Sequence, residues 1–421
     1  MPIPSGFVVL KIELLHAPER IRAGANIRCL HVIPSISFVE GGPSLAIGPL
    51  CAALNRIEGI EVEIATTVPS REALISDGDL IDHGIAVHRF AREFHGKLKY
   101  SPDLTRWLRV HAADYDIVHI HTLWSLVSSS AGRAAFRDGV PYIVRPAGMM
   151  SPYSWSRGRI KKAMYWRWSD RRMISRAAAL HATSAGEADE LRQLHLPPEV
   201  CTIPLGIDPQ AWATPQDTAI LRRLCGPLAN DLPILLFLSR IHPKKGVNDF
   251  LLPAFARLKI PAFLAIAGGA DGESGYLAEI KATIARLNLK HRVALLGSIT
   301  PANRWGLFDG AAGFVLPSHQ ENFGLVVVEA MARGCPVVVS DRVQSCDHVL
   351  AANAGFVVPL DVDSITVALT QLLTQPERRA IVGDAGRRYV AEHLSWDRVG
   401  IDVANLYSKV LSTNRQRIHH A

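Results

Sequence analysis

The residues of this sequence most suited to chemistry are cations that follow an apolar run in its second half. The segment SRIHPKKG, residues 239–246, comes directly after ILLFL and before a helical pattern. Arg240 offers phosphate oxygens a planar fork, and Lys245 offers a compact positive charge. Because a helix N-terminus adds partial positive charge, the segment predicts a diphosphate site. Taken alone, it is equally compatible with a solvated basic loop.

A second polar segment, PSHQENFGLVVVEAMA, occupies residues 317–332. Glu321 lies just before a predicted helix, and Glu329 lies eight residues later within it, so the two carboxylates can contact opposite ends of an elongated ligand. The alternative is a helix-start carboxylate and a surface residue. Glu329 stands in an otherwise apolar helix, where a charge without a partner is costly, and this favours a functional role.

The start of that helix also predicts anion binding. We expect it to begin at Phe323 or Gly324, and the free N–H groups of Gly324, Leu325 and Val326 would point at an anion. The glycine would allow a ligand to approach the backbone closely.

Two weaker signals lie in the first half. Gly41 and Gly42 are too few for a dinucleotide fingerprint, but they would let a phosphate or sugar approach the backbone. In DIVHIH, residues 116–121, strand alternation puts His119 and His121 on one face, with His121 nearest the rim of a cleft. No third ligand lies nearby, so we predict no metal site and expect a neutral histidine that binds a hydroxyl.

Residues 157–176, RGRIKKAMYWRWSDRRMISR, combine many basic residues with three aromatic ones. One interpretation is an exposed helix whose aromatic side chains pack on the domain. The other is an interfacial helix that docks on an anionic membrane surface. RNA could use the same residues, but no RNA-binding motif accompanies them, and we expect no nucleic-acid partner. The predicted membrane contacts are Arg159, Lys161, Lys162, Trp166 and Arg167.

Elements that would position these residues can be read from the alternation of short apolar runs and helical-period segments. Runs with two apolar faces are typical of buried parallel strands. The predicted strands are 27–33, 62–67, 117–120, 142–144, 178–183 and 200–203, then 234–238, 263–267, 293–296, 313–316 and 336–340. The predicted helices are 44–56, 125–137, 160–175 and 185–194, then 246–258, 275–289, 323–333, 364–373, 377–389 and 396–411.

This alternation predicts an α/β fold with two Rossmann-like, doubly wound domains that face a cleft. A proline-rich join at 204–215 divides them. We expect a first domain over 1–207, with 1–25 as an extension, a second domain over 208–393, and a C-terminal helix over 394–421.

Composition agrees with a globular, two-domain chain. The 421 residues are 48% hydrophobic and 20% charged, which excludes a disordered or fibrous protein. The net charge of +7 is spread over both halves and suggests anionic partners without choosing among them. None of the six cysteines forms a CxxC pair, so we expect buried thiols in a reducing compartment. No signal peptide or transmembrane segment is expected.

Together these motifs resemble a known family. SRIHPKKG followed by PSHQENFGLVVVEAMARGCPVV is similar to the retaining family 4, or group 1, glycosyltransferases, in which the carboxylate pair would be Glu321 and Glu329. IPLGID at 203–208, the opening strand with its Gly-Gly loop and DIVHIH resemble the same family, although Leu205 replaces its common Asn. RPAGMMSPYSW resembles the subset found in bacterial exopolysaccharide and O-antigen assembly.

The resemblance implies the glycosyltransferase-B fold, with acceptor binding in the first domain, nucleotide-sugar binding in the second, and a final helix that crosses back to the first. By motif position, the catalytic residues would be Arg240, Lys245, Glu321 and His121. The donor-binding residues would be Glu329, Asn322, Phe323, Gly324, Leu325, Val326, Gly41 and Gly42.

The implied reaction moves a hexose-type sugar, with retention and without a metal or other cofactor, from a UDP- or GDP-linked donor to a lipid-linked or polysaccharide acceptor in cell-surface glycan biosynthesis. The expected location is cytoplasmic, peripheral on the inner face of the plasma membrane. Two alternatives stay open: a nucleotide-sugar 2-epimerase on the same fold, and a non-catalytic scaffold that binds nucleotide. The sequence indicates no oligomeric state.

Overall fold

The computed structural model describes residues 26–37, 42–69, 84–93, 98–156, 158–207, 217–229, 231–270 and 274–419. Within these residues the chain forms two all-parallel sheets, one in each half. The first contains β1 (Ile27–Ile33), β2 (Ile60–Val68), β3 (Ala86–Ala91), β4 (Ile117–His121), β5 (Tyr142–Arg145), β6 (Ala179–Ala182) and β7 (Glu199–Thr202). Its strand order is β3-β2-β1-β4-β5-β6-β7.

The second sheet has six strands in the order β10-β9-β8-β11-β12-β13. They are β8 (Ile234–Leu238), β9 (Phe263–Ala267), β10 (Val293–Gly297), β11 (Gly313–Leu316), β12 (Val337–Ser340) and β13 (Gly355–Val358). The central strands of both sheets are buried on both faces, because their side chains are almost entirely apolar and helices cover them.

Helices connect the strands. In the first half they are α1 (Gly42–Asn55), α2 (Pro102–His111), α3 (Leu126–Arg137), α4 (Pro152–Ser156), α5 (Arg159–Tyr165), α6 (Arg171–Ser175) and α7 (Ala185–Arg192). In the second half they are α8 (Ile220–Cys225), α9 (Leu252–Ala256), α10 (Ser274–Arg286), α11 (Pro301–Asp309), α12 (Leu325–Ala332), α13 (Cys346–Ala352), α14 (Val362–Thr374), α15 (Pro376–His393) and α16 (Trp396–His419).

The topology brings the predicted motifs to two switch points. In each sheet the chain winds outward in both directions from one central pair, β1 beside β4 and β8 beside β11, and a crevice opens at the carboxyl ends of such a pair. Gly42 follows β1, His121 ends β4, Arg240 follows β8, and Glu321 follows β11. The predicted α/β class and doubly wound architecture are therefore confirmed.

The C-terminal helix α16 returns to the first domain. Its Tyr407 hydroxyl bonds two histidines of the first sheet, and the Lys409 ammonium pairs with Glu199 at 2.7 Å. At its start, Trp396 lies on Gly206, where an added Cβ would stand 2.5 Å from the indole ring. The helix therefore ties the end of the chain to the core of the first domain.

The predicted strands are all present, with ends shifted by at most two residues. β3 and β13 were missed; both are edge strands whose side chains are mostly half-buried, and β3 also carries His88 and Arg89. The predicted helix 246–258 is instead a π-helical turn, Val247–Leu251, followed by α9. Pro253 lacks the N–H that an α-helix would need there, which accounts for the wider turn.

Some expectations fall on residues outside those described, namely 1–25, Gly41 and most of the predicted join, 208–216. All six cysteines are free thiols, and four of them are buried. Among the described residues, no helix is both long enough and apolar enough to cross a membrane.

Candidate active site at the carboxyl edges of two sheets

Lys245 and Glu321 come together after β8 and β11. The Lys245 Nζ lies 2.5 Å from a carboxylate oxygen of Glu321, and both side chains are nearly buried, at 11% and 14% exposure. The loop that carries Glu321 is held by its N–H, which donates to the Arg342 carbonyl at 3.1 Å. The structure thus brings together two predicted residues that are 76 positions apart in the chain.

Arg240 lies on the same edge but is exposed. Its guanidinium makes no hydrogen bond or ion pair with another described residue, whereas Lys245 is already paired with Glu321. The loop ends at Gly246, directly after Lys245, where φ of 70° favours glycine and an added Cβ would lie 2.1 Å from the Pro317 carbonyl oxygen. An exposed guanidinium and a nearly buried ammonium therefore follow one strand, and groups of both kinds can bind phosphate oxygens.

The helix N-terminus beside them is α12, which begins at Leu325 with Gly324 as its N-cap. Gly324 has φ of 79°, a left-handed conformation that glycine adopts without strain. The first amides of α12 lack acceptors within their own helix. The Phe323 side chain is buried and packs against His348, so a contact of this residue with a ligand would use its backbone.

Glu329 has a protein partner that the sequence did not reveal. Arg304, on α11, forms an ion pair with the Glu329 carboxylate, in which its Nε donates to Oε2 at 3.0 Å. The cost of a charge in this apolar helix is therefore offset by Arg304, so that cost alone no longer indicates a functional role for Glu329. The pair still leaves part of the carboxylate accessible, at 13% side-chain exposure.

Asn322 bridges the two domains. Its Nδ2 donates to the Thr183 hydroxyl at 2.9 Å and lies 3.4 Å from the buried Glu187 carboxylate. Gly148 must be a glycine here, because an added Cβ would lie 2.4 Å from the Asn322 side chain. The predicted donor-binding role of Asn322 is thus joined by a structural role in holding the two carboxyl edges together.

Two further contacts span the carboxyl edges of the two sheets. The Ser184 hydroxyl lies 2.6 Å from the Gln344 side-chain oxygen, and the Lys244 ammonium stands 4.9 Å above the Tyr153 ring. Both contacts join the first domain to the second. The segments that follow β5 and β6 therefore meet segments of the second domain across one crevice.

His121 ends β4, so it lies nearer the carboxyl edge than His119, and its side chain is fully buried among the described residues. Its ring stacks on His119, which confirms that the two share a face. Burial, followed by the nearby Arg145 charge, lowers the pKa of His121 well below 6.5. The ring is therefore neutral, as expected.

A third histidine, which the sequence did not indicate, lies beside these two. His31 on β1 is the register partner of His119, and its Nδ1 lies 2.9 Å from the His121 Nε2. The nearest ligand atoms of His31, His119 and His121 lie within 4.8 Å of one another. The statement that no third ligand lies nearby was therefore wrong, because strand pairing joins positions that are far apart in sequence.

The basic segment forms α5, a π-helical turn (Trp166–Asp170) and α6. Of its predicted membrane contacts, Arg159, Lys161 and Arg167 are exposed. Lys162 instead donates to the Ser154 hydroxyl, and Trp166 packs against two other tryptophans of the first domain. The first three side chains are thus turned to the surface, whereas Lys162 and Trp166 contact the protein.

Comparison with known families is consistent with this geometry. The sequence model described as "Glycosyl transferases group 1" matches residues 226–389, which include Arg240, Lys245, Glu321 and Glu329. The model described as "Glycosyl transferase 4-like domain" matches residues 41–206. The chain belongs to the group 1 glycosyltransferases. The family expected from the motifs is confirmed.

Individual relatives extend over most of the chain. The D-inositol 3-phosphate glycosyltransferase of Jonesia denitrificans is 28% identical over 412 residues, 90% of this chain and 95% of the relative. The GDP-mannose-dependent alpha-(1-6)-phosphatidylinositol monomannoside mannosyltransferase of Mycolicibacterium smegmatis is 33% identical over 226 residues, 51% of this chain and 56% of the relative.

Among solved structures, HepE of Anabaena in complex with UDP and glucose superposes with a TM-score of 0.72 at 20% identity, over 91% of this chain and 100% of its own. This likeness shows the fold. The group 1 enzyme described here therefore has the glycosyltransferase-B architecture.

Proposed function

We propose that this group 1 enzyme transfers a hexose-type sugar from a UDP- or GDP-linked donor to a lipid-linked or polysaccharide acceptor in cell-surface glycan biosynthesis. The observation that carries this proposal is the placement of Arg240, Lys245 and the start of α12 on one carboxyl edge. As the sugar leaves, negative charge develops on the diphosphate, and these groups stabilise it. HepE is known in complex with UDP, and one relative is described as GDP-mannose-dependent. Uridine and guanosine donors are therefore both candidates.

We further propose retention of the anomeric configuration, with no covalent enzyme intermediate. The two carboxylates of the motif are engaged, Glu321 with Lys245 and Glu329 with Arg304. A glycosidase-like mechanism would need one of them as a nucleophile and another carboxyl as an acid. In the proposed step, the acceptor oxygen attacks the anomeric carbon from the face that the diphosphate leaves. The carbon–phosphate oxygen bond breaks, and the departing phosphate takes the acceptor's proton.

A thermal-shift screen against UDP, GDP, ADP and CMP, with and without magnesium and chelator, tests the donor site. A ligand at a hundredfold excess over its Kd adds about 2.7 kcal/mol of stability. We expect stabilisation by UDP or GDP that chelator leaves unchanged. Stabilisation by none of the four would favour the scaffold alternative. NMR of the donor incubated alone tests the 2-epimerase alternative, because an epimerase would convert the sugar without an acceptor.

We also propose that the enzyme works at the cytoplasmic face of the plasma membrane, with α5 and the turn that follows it as the contact. Three large apolar side chains at helical spacing point outward there: Ile160, Met164 and Trp168, at 78%, 68% and 67% exposure. The exposed Arg159, Lys161 and Arg167 lie on the same segment. Apolar side chains beside cations suit anionic headgroups better than they suit water.

Vesicle sedimentation tests this contact. Ile160→Glu should weaken binding to phosphatidylglycerol vesicles at low salt by about tenfold or more, because an apolar anchor is lost and a repelled charge is added. Ile381→Glu is the matched control, since Ile381 is 69% exposed on α15 in the other domain. Equal binding by both variants, or no binding of the wild type to anionic vesicles, would exclude this membrane contact.

A further inference from the structure

A continuous chain of hydrogen bonds runs through the buried core of the first domain, and it includes a residue from the far end of the sequence. Successive distances along it are 2.9, 2.9, 2.9, 3.3 and 2.9 Å. All five side chains are at most 1% exposed. We call it the histidine relay; in order, its groups are His121, His31, Tyr407, His119, His181 and the Ile203 carbonyl oxygen.

The carbonyl at one end fixes the position of every proton in the relay. A carbonyl can only accept, so His181 donates to it from Nε2. A neutral imidazole has one N–H, so the Nδ1 of His181 accepts, and it does so from the Nε2 of His119. The Nδ1 of His119 must then accept from the Tyr407 hydroxyl.

The donors and acceptors beyond Tyr407 are fixed in the same way. Having donated its only proton, the Tyr407 oxygen accepts from the Nε2 of His31. The Nδ1 of His31 then accepts from the Nε2 of His121. All four rings are therefore Nε2–H tautomers, and His121 is left with an unprotonated Nδ1 that has no partner among the described residues.

The four histidine rings of the relay are neutral because of their surroundings. Burial is the largest cause that lowers the pKa of each ring, to about 3 for His31 and His181 and well below 6.5 for the other two. The positive charge of the buried Arg145 acts in the same direction on all four. Arg145 is also the register partner of His121 on the adjacent strand.

A metal ion held by three of the histidines is the competing interpretation, since their ligand atoms are close enough. Two features oppose it. The ring nitrogens that would bind a metal are already paired within the relay, and the nearby Arg145 charge would repel a cation. The relay accounts for the cluster by hydrogen bonding alone.

We propose that Tyr407 is a positioning residue, which holds His121 in the tautomer that presents Nδ1 as a hydrogen-bond acceptor. His121 can then receive a hydrogen bond from a substrate hydroxyl but cannot donate one through Nδ1, which sets a preference for a donor group at that point. The C-terminal helix thereby links its own docking to the state of the first domain's site. The expected effect of Tyr407 on kcat rests on the proposed function, whereas the assignment of the histidine tautomers does not.

Nitrogen NMR of protein labelled with ¹⁵N-histidine tests the assignment directly. The wild type should show all four relay histidines with a protonated Nε2 and a bare Nδ1, each identified by single replacement. In Tyr407→Phe, the link between His31 and His119 is cut, so His121 should populate the other tautomer. The kcat should fall by about 10–100-fold, the range found for groups that orient metal-binding histidines, with the KM for the donor little changed.

Tyr142→Phe is the matched control. Tyr142 is also buried in the first domain, and its hydroxyl donates to the Met173 carbonyl at 2.6 Å, outside the relay. This control should lose comparable stability but keep the wild-type histidine signals and kcat. A protonated Nδ1 on His121 in the wild type would overturn the proposal, even if Tyr407→Phe did not fold. So would a Tyr407→Phe variant with the control's signals and kcat, or a metal that co-purifies stoichiometrically with the protein.

Discussion

Lys245, in its ion pair with Glu321, can contribute both to sugar transfer and to the stability of the fold, and variants of the pair can separate the two contributions. Both side chains are nearly buried, at 11% and 14% exposure. Lys245→Met would leave the Glu321 carboxylate without its partner, and such a loss costs about 3–5 kcal/mol in a buried setting. We take about 3 kcal/mol, because some water reaches both groups. The transfer rate should fall by about 10²–10³, since one cation that stabilises the leaving diphosphate is gone.

The double variant separates the two effects. In Lys245→Met/Glu321→Gln neither partner keeps a charge, so stability should return to within about 1 kcal/mol of the wild type. The transfer rate should stay low, because the diphosphate still lacks its cation. Urea unfolding measures stability, and sugar transfer from the donor identified by the nucleotide screen measures activity.

A matched pair elsewhere in the same domain supplies the control. Arg333 and Asp309 form an ion pair with both side chains at 10% exposure, and neither belongs to the site. Arg333→Met should therefore cost similar stability without a loss of transfer per folded molecule. If Lys245→Met/Glu321→Gln regained the wild-type transfer rate along with its stability, Lys245 would serve only to neutralise Glu321, and our account of the donor site would be wrong.

Three further predictions concern other parts of the molecule. Gly324→Ala should cost about 1–2 kcal/mol in urea unfolding, because φ is 79° and the new Cβ would stand 3.1 Å from Val343; an unchanged midpoint would contradict this. Glu329→Ala should weaken UDP or GDP binding by about tenfold or more in calorimetry, if its carboxylate holds the ribose hydroxyls, and equal affinity would exclude that role. Stability should also fall on acidification, because the relay histidines have folded-state pKa values far below the usual 6.5 and the unfolded chain takes up protons first. The loss begins as pH falls through about 6.5 and reaches about 5 kcal/mol between pH 7.5 and 5.5; urea midpoints that agree at the two pH values would refute it.

The sequence was informative where the determining interactions are local. Continuous apolar runs such as 234–238 and 263–267 coincide with β8 and β9, because a strand buried on both faces needs apolar residues throughout. The same reasoning placed Arg240, Lys245 and Glu321 after strands, and parallel topology then brought them to one edge. The edge strand β3 escaped prediction because His88 and Arg89 interrupt its apolar run, and the short apolar edge strand β13 was missed as well.

Partners that are distant in sequence could not be predicted. Arg304, on α11, meets Glu329, on α12, only in the folded chain, and no local pattern around residue 304 indicates this. His31 joins His119 through strand register, and Tyr407 reaches both through a helix hundreds of residues further along. A signal did exist for His31, a polar ring within the apolar strand IRCLHVI, where burial would require a hydrogen-bond partner.

Calorimetric titration of nucleoside diphosphates against their monophosphates, in the presence of chelator, tests the central claim most directly. If Arg240, Lys245 and the start of α12 hold the β-phosphate, UDP or GDP should bind about 100-fold more tightly than UMP or GMP. The variant Arg240→Ala, which removes an exposed guanidinium with no ion pair to another described residue, should reduce that ratio by about tenfold without unfolding the protein. Equal affinity for diphosphate and monophosphate in the wild type would contradict the account.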